Sequence, residues 1–505
     1  MKTKTIIKTF LAALSLLALG LAILALVPLA DPLTQKDKVS RMIITNLNIV
    51  DIENNDIKRN KTILVTNGRI ARILNEGELV EKGDITFDAH GKYAIPGLWD
   101  MHSHLAFDVA PQMAMPLHIA NGVTNLRDMQ GIANINPNRK SWAMEIESGE
   151  LLGPRLPGYA TEIVGDNYDE RNVLEVVDRA SKSTQTFIKI YSSILQERYF
   201  RLAESARKQN VTFAGHYPSA IDPVLASNAG QKSFEHAHLF INNSYDQAQQ
   251  LREYYQAVNS EQESEVPRRP SGEAILEGFS PEKFNALVET MVKNDTYFCP
   301  THITKNYEAS VHDEAFLADK KSKYIPLLIE SVWADDLEGM LDEDEEYLKK
   351  FHRRGLELTK LAHQKGVKIL AGTDSYDPYS FPGFSLHQEL EQLVQAGLSN
   401  AEALATATLN PAEYFGLTKD YGAISEGKIA DIVLLNNNPL EDIRHTQSIE
   451  ALVFNGALYS RSELDSFLTY VEERVSGFAG LSMSLKMFLS LIRDNNPESR
   501  NNPTY

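Results

Sequence analysis

Hydrophobic and polar positions alternate with a period of two in two separate parts of the chain. Residues rich in β-branched side chains form short runs at 42–52, 61–74 and 84–97 near the start, and at 427–438 and 448–460 near the end. Asn-Gly pairs at 67–68 and 455–456 are typical of tight hairpin turns. The pattern predicts one small β domain built from residues 41–96 and 418–462.

Between these two parts, short apolar stretches alternate with segments of helical periodicity such as 196–210 and 399–410. The predicted strands are 94–104, 122–129, 154–160, 186–191, 211–216, 232–237, 296–302 and 367–374. Alternating strands and helices over about 320 residues favour a (β/α)₈ TIM barrel, here residues 97–417. The expected fold class is therefore α/β, and catalytic groups are expected at the carboxyl ends of the strands.

Three further segments fall outside this minimum barrel. Residues 241–280 are polar and contain proline, which predicts an exposed loop over the barrel mouth. Residues 311–365 contain an acidic stretch that is typical of a solvated helix face. Residues 477–495, within a helical tail at 463–505, are apolar and are expected to pack on the barrel or to rest on a membrane surface.

The first 35 residues are predicted to form a signal-anchor or signal peptide and a linker. Residues 10–30 carry no charge and follow Lys2, Lys4 and Lys8. About twenty apolar residues can span a bilayer, so we favour an uncleaved signal-anchor over a cleaved signal peptide. In either case the rest of the chain is predicted to be exported, either anchored to a membrane or free in the periplasm.

Composition narrows the functional classes. The chain has 68 acidic and 50 basic residues, which argues against binding to a nucleic-acid backbone. Its single cysteine, Cys299, allows neither an intrachain disulfide nor a cysteine zinc cluster. The thirteen histidines are more informative, because several of them fall at patterned positions.

Candidate ligands stand at the ends of five predicted strands. His102 and His104 are two residues apart, so in a strand both imidazoles point to the same side. Lys189 lies in an apolar strand, where an ammonium needs a counter-charge, a depressed pKa or conversion by CO₂ to a carbamate. The other strand-end candidates are His216, His236 and Asp374.

These motifs together resemble the amidohydrolase superfamily from about residue 44 to residue 460. The resemblance is carried by IPGLWDMHSH (95–104), GVTNLRD (122–128), residues 187–221, GQKSFEH (230–236), AGTDS (371–375), LATATLNPAEYFGL (404–417) and GAISEGKIADIVLL (422–435). It implies a metal-dependent hydrolase with a TIM barrel and a small composite β sandwich.

Carried over residue by residue, the resemblance assigns a role to each candidate. His102 and His104 would hold the more buried metal, and Lys189 as a carbamate would bridge two metals. The outer metal would be held by His216 and His236, and Asp374 would contact the buried metal and act as the base. The lysine is similar to that of the binuclear branch with Xaa-Pro dipeptidases and prolidase-like enzymes. Imidazolonepropionase-like members, with one metal and no carbamate, form the nearest competing branch.

Substrate contacts are less constrained. The residues that follow His216 and His236 depart from the family pattern and leave the substrate open. Further polar side chains at or beside strand ends either contact a substrate carboxylate or carbonyl or make structural hydrogen bonds; they are Arg127, Asp128, Tyr191, Tyr217 and His302.

The resulting hypothesis is hydrolysis of an amide bond in a small molecule, such as a dipeptide or an N-acyl amino acid. One or two divalent ions, with zinc expected, would lower the pKa of a water molecule, and the hydroxide would attack the carbonyl. Asp374 would take the proton and deliver it to the leaving nitrogen. The alternatives are a cyclic-amide hydrolase of the imidazolone type, a lactonase or ester hydrolase, and an inactive membrane-tethered binding protein. Formation of a homo-oligomer stays open.

Overall fold

The computed structural model describes residues 19–20, 22–78, 83–131, 138–183, 185–260 and 266–494 of the 505-residue chain. The strands are β1 (Arg41–Asp51), β2 (Asp56–Thr66), β3 (Arg69–Leu74), β4 (Ile85–Asp88), β5 (Tyr93–Pro96), β6 (Leu98–Ser103), β7 (Val123–Asp128), β8 (Arg155–Val164), β9 (Thr186–Ile190), β10 (Phe213–His216), β11 (Ser233–Glu235), β12 (Tyr297–Cys299), β13 (Ile432–Leu435), β14 (Ile449–Phe454) and β15 (Ala457–Ser460). They form two separate sheets.

The first sheet combines both ends of the chain. Its order is β15-β14-β13-β5-β1-β2-β3, and β4 pairs with β1. Asn67 and Gly68 both have positive φ, as do Asn455 and Gly456. Positive φ at both central residues is the conformation that a two-residue hairpin turn requires, which explains why these Asn-Gly pairs end β2 and β14. One face of the sheet is apolar and buried, with Ile44 and Ile432 fully inside.

The second sheet is the barrel wall. Strands β6 to β12 are neighbours in sequence order, and every adjacent pair is parallel. The eighth predicted strand closes the ring through two isolated bridges, Phe298 with Ile369 and Ser103 with Ser375. The predicted α/β class with a TIM barrel and a second domain from the chain ends is confirmed. The third barrel strand, β8, runs further than predicted, to Val164.

Helices cover the outside of the barrel and extend beyond it. They are α1 (Ala114–Ala120), α2 (Arg139–Ser148), α3 (Glu170–Ala180), α4 (Gln196–Gln209), α5 (Pro223–Asn228), α6 (His238–Asn243), α7 (Ala248–Asn259), α8 (Gly272–Glu277), α9 (Pro281–Lys293), α10 (His302–Glu308), α11 (Glu314–Leu317), α12 (Leu327–Met340), α13 (Glu345–Gln364), α14 (Phe384–Ala396), α15 (Asn400–Thr406), α16 (Leu409–Tyr414), α17 (Arg461–Val475) and α18 (Gly477–Asp494), with short 3₁₀ turns at Ala110–Gln112, Lys320–Tyr324 and Ile443–Gln447.

The segment at 241–280 differs from its prediction as an exposed loop. It contains helices α7 and α8, and residues 261–265 lie outside the described part. Tyr245, Leu251 and Ile275 are at most 3% exposed and belong to the main core cluster. These few apolar side chains bury enough surface to order the segment although its average composition is polar, so the loop prediction was wrong here.

The apolar tail forms α18, which packs on α17 and α12. The visible part of the N-terminal segment lies beside it, since Ser482 Oγ donates to the carbonyl oxygen of Leu24 over 2.8 Å. Among the residues described, no helix has both the length and the apolar character needed to cross a bilayer. Residues 10–18 and 21 of the predicted spanning segment at 10–30 lie outside the described residues, so that expectation stays a prediction.

Candidate metal centre

The six candidate ligands converge at the carboxyl end of the barrel. His102 is in β6, His104 follows it, Lys189 is in β9, His216 ends β10, His236 follows β11, and Asp374 lies in the closing stretch. Parallel strands place their carboxyl ends on one side of the barrel, so residues far apart in sequence meet there.

Asp374 is the common neighbour of three of the histidines. Its Oδ1 lies 3.2 Å from His102 Nε2 and 3.0 Å from His104 Nε2. Its Oδ2 lies 3.4 Å from Nδ1 of His236. One ligand atom from each of His102, His236 and Asp374 fits within a 4.8 Å cluster, and all three residues are buried. This is a grouping that can hold a metal ion.

A second pair of ring nitrogens faces the same space. Nε2 of His216 and Nε2 of His236 are 3.1 Å apart. Lys189 Nζ lies 3.4 Å from Nε2 of His104. The lysine, which is 3% exposed, therefore adjoins His104 from a strand that lies two strands beyond the neighbour of β6.

The charge states of His216, His236 and Asp374 fit a divalent cation. Burial lowers the pKa of His216 and of His236 well below the ordinary value, so both are neutral, as metal ligation requires. Burial opposes ionisation of Asp374, but the adjacent histidines outweigh it and hold the pKa of that carboxyl well below its usual range. Nε2 of His102 is buried without a hydrogen-bond partner. Such an orphaned acceptor beside a carboxylate is satisfied when a cation is bound.

The pKa of Lys189 is lower than that of a surface lysine. Burial lowers its pKa, although the Asp374 and Glu235 carboxylates favour the ammonium form. A lower pKa raises the fraction of free amine at neutral pH, and the free amine is the form that reacts with CO₂.

A buried network fixes the orientation of His102. Its Nδ1 lies 2.9 Å from Oε2 of Glu235. Arg127 Nη2 donates to both oxygens of the same carboxylate, at 2.9 and 2.8 Å. Burial of Glu235 opposes its charge, but Arg127 and His102 keep its pKa below the ordinary value. A carboxylate that holds the far nitrogen of an imidazole leaves the near nitrogen free for a metal.

Two other imidazoles are also anchored through their second nitrogens. His104 Nδ1 lies 3.0 Å from Oε1 of Gln130. Nδ1 of His236 lies 3.0 Å from Thr301 Oγ1. These contacts set the ring positions before any ligand arrives.

The backbone is unusual at two of the candidate ligands. His236 has φ of 74° and Asp374 has φ of 55°, in the left-handed region. Residues with side chains rarely adopt it, and it costs on the order of 1–3 kcal/mol. At both residues the backbone turns directly after the strand and directs the side chain into the barrel mouth. Strained backbone of this kind is concentrated at functional sites.

The predicted substrate contacts lie in different environments. Arg127 and His302 are 0% exposed and Tyr217 is 3% exposed. Asn242 Nδ2 donates to the hydroxyl of Tyr217 over 2.8 Å, and His302 Nε2 lies 2.9 Å from Thr359 Oγ1. These three side chains therefore make protein contacts within the core.

Tyr191 is different, because it is 44% exposed and its ring centroid lies 4.7 Å from that of His216. Asp128, which is fully buried, accepts hydrogen bonds from the backbone of Leu105 and Gln130. Of the five side chains considered for substrate contact, Tyr191 is the one placed at an open edge of the site.

Sequence reasoning missed several residues at the site. His238, which the sequence had shown only as one of the positions after His236 that depart from the family pattern, stacks on His236 with ring centroids 5.7 Å apart. The second His-x-His motif at 236–238 was the available signal for this contact. Asp377 is exposed, and its backbone N–H donates to the carbonyl oxygen of Asp374 over 2.7 Å. Its position three residues after Asp374 was only a weak indication that it lies at the site. The roles of Glu235 and Gln130 had no distinctive signal, because their partners are distant in sequence.

Fold and site together are those of the barrel enzymes that bind divalent metal ions at the carboxyl ends of their strands. Residues 93–458 match the model of the Amidohydrolase family. The chain belongs to this family, which confirms the sequence-based assignment to the amidohydrolases and to the hydrolytic enzymes.

Relatives within the family carry different names. An adenine deaminase of Thermosipho melanesiensis is 23% identical over 424 residues, or 80% of this chain, and the chain spans only 57% of that relative's length. An imidazolonepropionase of Kosmotoga olearia is 24% identical over 398 residues, covering 77% of this chain and 87% of the relative. A solved Xaa-Pro dipeptidase with methionine in its active site is similar in fold, with a TM-score of 0.60 at 19% identity, covering 83% of this chain and 100% of the dipeptidase.

Proposed function

We propose that this protein is a metal-dependent hydrolase that cleaves the amide C–N bond of a small molecule, a dipeptide or an N-acyl amino acid. The observation that carries the proposal is the convergence of four imidazoles, a buried lysine and a carboxylate at the barrel mouth. A divalent cation, when bound, lowers the pKa of water toward neutrality and polarises a carbonyl. The proton transfers are assigned to a side chain of this protein.

Asp374 is the proposed general base and acid. It is ionised at neutral pH and reaches the histidines on both sides of the site. Its carboxylate takes the proton of the attacking water as the oxygen bonds to the carbonyl carbon. It then returns that proton to the nitrogen as the C–N bond breaks, so that a carboxylic acid and an amine are formed.

Lys189 is the proposed site of the carbamate. Its burial, its lowered pKa and its contact with His104 support this assignment. The free amine would attack CO₂ and release one proton, which converts a buried cation into a carboxylate-like anion. That anion, with the imidazoles, gives a donor set suited to two zinc ions.

A second candidate function is hydrolysis of a cyclic amide. It is favoured by the imidazolonepropionase relative, of which the alignment covers 87%. This function would use one metal and an unmodified Lys189, so the metal count separates the two candidates.

Residues 10–30 are the proposed membrane anchor, and the catalytic part is proposed to lie outside the cytoplasm. The absence of charge over these residues and the three lysines that precede them support both proposals. Flotation of the full-length chain with lipid vesicles tests the anchor, and protease accessibility of the barrel in intact cells tests the side.

The function is tested on the full-length chain prepared with zinc and ¹³C-labelled bicarbonate. We expect about two metals per chain, a ¹³C carbamate signal by NMR and turnover of Xaa-Pro dipeptides or N-acyl amino acids. Lys189→Met should lose the signal and the turnover, whereas Lys208→Met, which changes an exposed side chain of α4, should keep both. One metal with turnover of imidazolones would favour the second candidate, and turnover of lactones alone would refute amide hydrolysis.

A further inference from the structure

The helix α18 is apolar on its outer face as well as on its inner face. Met483 and Met487 point inward and are 1% exposed. Phe478, Leu481 and Phe488 are 57%, 44% and 47% exposed. Their spacing of three and seven residues puts them on one side of the helix. In a soluble protein a helix normally presents polar residues on that side.

The N-terminal segment extends this exposed surface. Leu19, Ile23 and Leu26 are 58%, 49% and 83% exposed. The segment is tied to α18 by Ser482, which donates to the carbonyl oxygen of Leu24, and by Lys486, whose ammonium donates to that of Val27. We call the outer side of α18 together with Leu19, Ile23 and Leu26 the apolar face.

Charge and sequence indicate what covers the apolar face. Lys486 is the one charged residue between 477 and 491, and its ammonium is engaged with the carbonyl oxygen of Val27. Leu19, Ile23 and Leu26 belong to an uncharged run over residues 10–30, which is long enough to enter a bilayer about 30 Å thick. A bilayer that receives this run must also meet the helix bonded alongside it.

We propose that the apolar face lies in the interfacial layer of the lipid bilayer that holds residues 10–30, with α18 parallel to the membrane plane. The proposal goes beyond the hydrolase function and does not depend on it. Burial of apolar side chains in the acyl boundary stabilises such a helix, and the apolar face supplies several of them.

The proposed orientation brings the mouth of the barrel to the membrane. A cavity of about 320 Å³ lies between α18 and the loop that follows β6, and Leu29, Phe107, Val109 and Met487 are among its lining residues. Phe107 is three residues beyond His104. The candidate centre would therefore open close to the lipid surface.

The proposal is tested with a fluorescent probe on the full-length chain in phosphatidylcholine nanodiscs. Cys299 is fully buried, so an introduced surface cysteine can be labelled selectively. Leu481→Cys places the probe on the apolar face, and Val292→Cys on α9 is the matched control, since the two side chains are 44% and 45% exposed. We expect lipids with nitroxide-labelled acyl chains to quench the probe at position 481 at least about twofold and to leave that at 292 unchanged.

Three results would overturn the proposal. Equal, water-like emission from both probes would show that the apolar face is not in lipid. A shielded probe at 481 that lipid nitroxides do not quench, with crosslinking between chains, would assign the face to a second copy or another protein. If the full-length chain does not float with vesicles, neither residues 10–30 nor the apolar face binds the membrane, and both proposals are refuted. Loss of hydrolase activity alone would leave the probe result unchanged.

Discussion

Replacing Arg127 with methionine should destabilise the protein and loosen His102. The guanidinium is fully buried, and it donates five hydrogen bonds, to Met101, Ser233 and Tyr414 and to both oxygens of Glu235. Methionine fills a similar volume without the charge, so the main loss is the counter-charge of Glu235.

The magnitude follows from what remains around Glu235. Its carboxylate keeps the contacts with His102 and Ser233 but stays 0% exposed and loses its cationic partner. Removal of one partner from a buried ion pair costs about 3–5 kcal/mol. Because Arg127 helps to hold the Glu235 pKa below the ordinary value, the variant should also raise that pKa. In the wild type the ionised carboxylate contributes stability above pH 4.5, and this contribution is lost as the pH falls. In the variant this contribution should be smaller.

Urea unfolding of the metal-free chain at pH 7 measures the effect. Arg127→Met and Glu235→Gln are each expected to be destabilising, and the double variant should cost less than their sum by about 0.5–3 kcal/mol. With metal present, Arg127→Met should weaken zinc binding about 10–100-fold, because the Glu235 carboxylate that contacts His102 is itself no longer fixed by the guanidinium. Tyr414→Phe, which removes only one hydrogen bond to the same guanidinium, is the milder control.

Additive single and double effects would refute the reasoning, because they would mean that the two charges do not depend on each other. Unchanged zinc affinity in Arg127→Met would separately refute the role of the pair in orienting His102.

Three other substitutions test different parts of the structure. Asp374→Asn should lower turnover about 10²–10⁴-fold while metal is retained in an elemental assay, and full activity would exclude it as the base. Burial raises the pKa of Glu389 to about 8, so this carboxyl keeps its proton in the folded state and the unfolding free energy should fall as the pH rises from about 4.5 to 8. In Glu389→Gln the difference in unfolding free energy between pH 5 and pH 9 should become smaller by this contribution. An unchanged difference in denaturation curves would contradict the assignment. Gly372→Ala would place a Cβ 2.6 Å from both Cys299 Sγ and His102 Cβ, so thermal unfolding should show a loss of about 1–3 kcal/mol in stability. Gly339→Ala is the control, because its Cβ would have no atom within 4 Å and should not destabilise the protein. Equal effects of the two substitutions would rule out the steric contact at Gly372.

The sequence carried much of the fold and of the candidate ligand set because both depend on local patterns. Apolar strands followed by polar residues such as His216 or Asp374 identify strand ends, and parallel strands bring those ends together. The two Asn-Gly turns likewise follow from the φ angles that only a few residues tolerate.

Long-range pairing was not visible in the sequence. Arg127 was interpreted as either a substrate contact or a structural hydrogen-bond donor because it lies at a strand end. Its partner Glu235 is 108 residues away, so the sequence did not decide between the two. The polar composition of 241–280 concealed the few buried residues, Tyr245 among them, that order its helices. Interactions of this kind are set by the assembled barrel, and a local pattern does not contain them.

The sheet shared by the two chain ends also sets an order of assembly during synthesis. Strand β5 pairs with β13 from Pro96 opposite Ile432, so the two partners are separated by 336 residues. At about 5–20 residues per second, β13 leaves the ribosome about 20–70 s after β5. During that interval one edge of β5 has no partner, and it is open to aggregation or to a chaperone. Destabilising changes in the last strands, β13 to β15, should therefore lower the yield of soluble protein more than equal changes within the barrel.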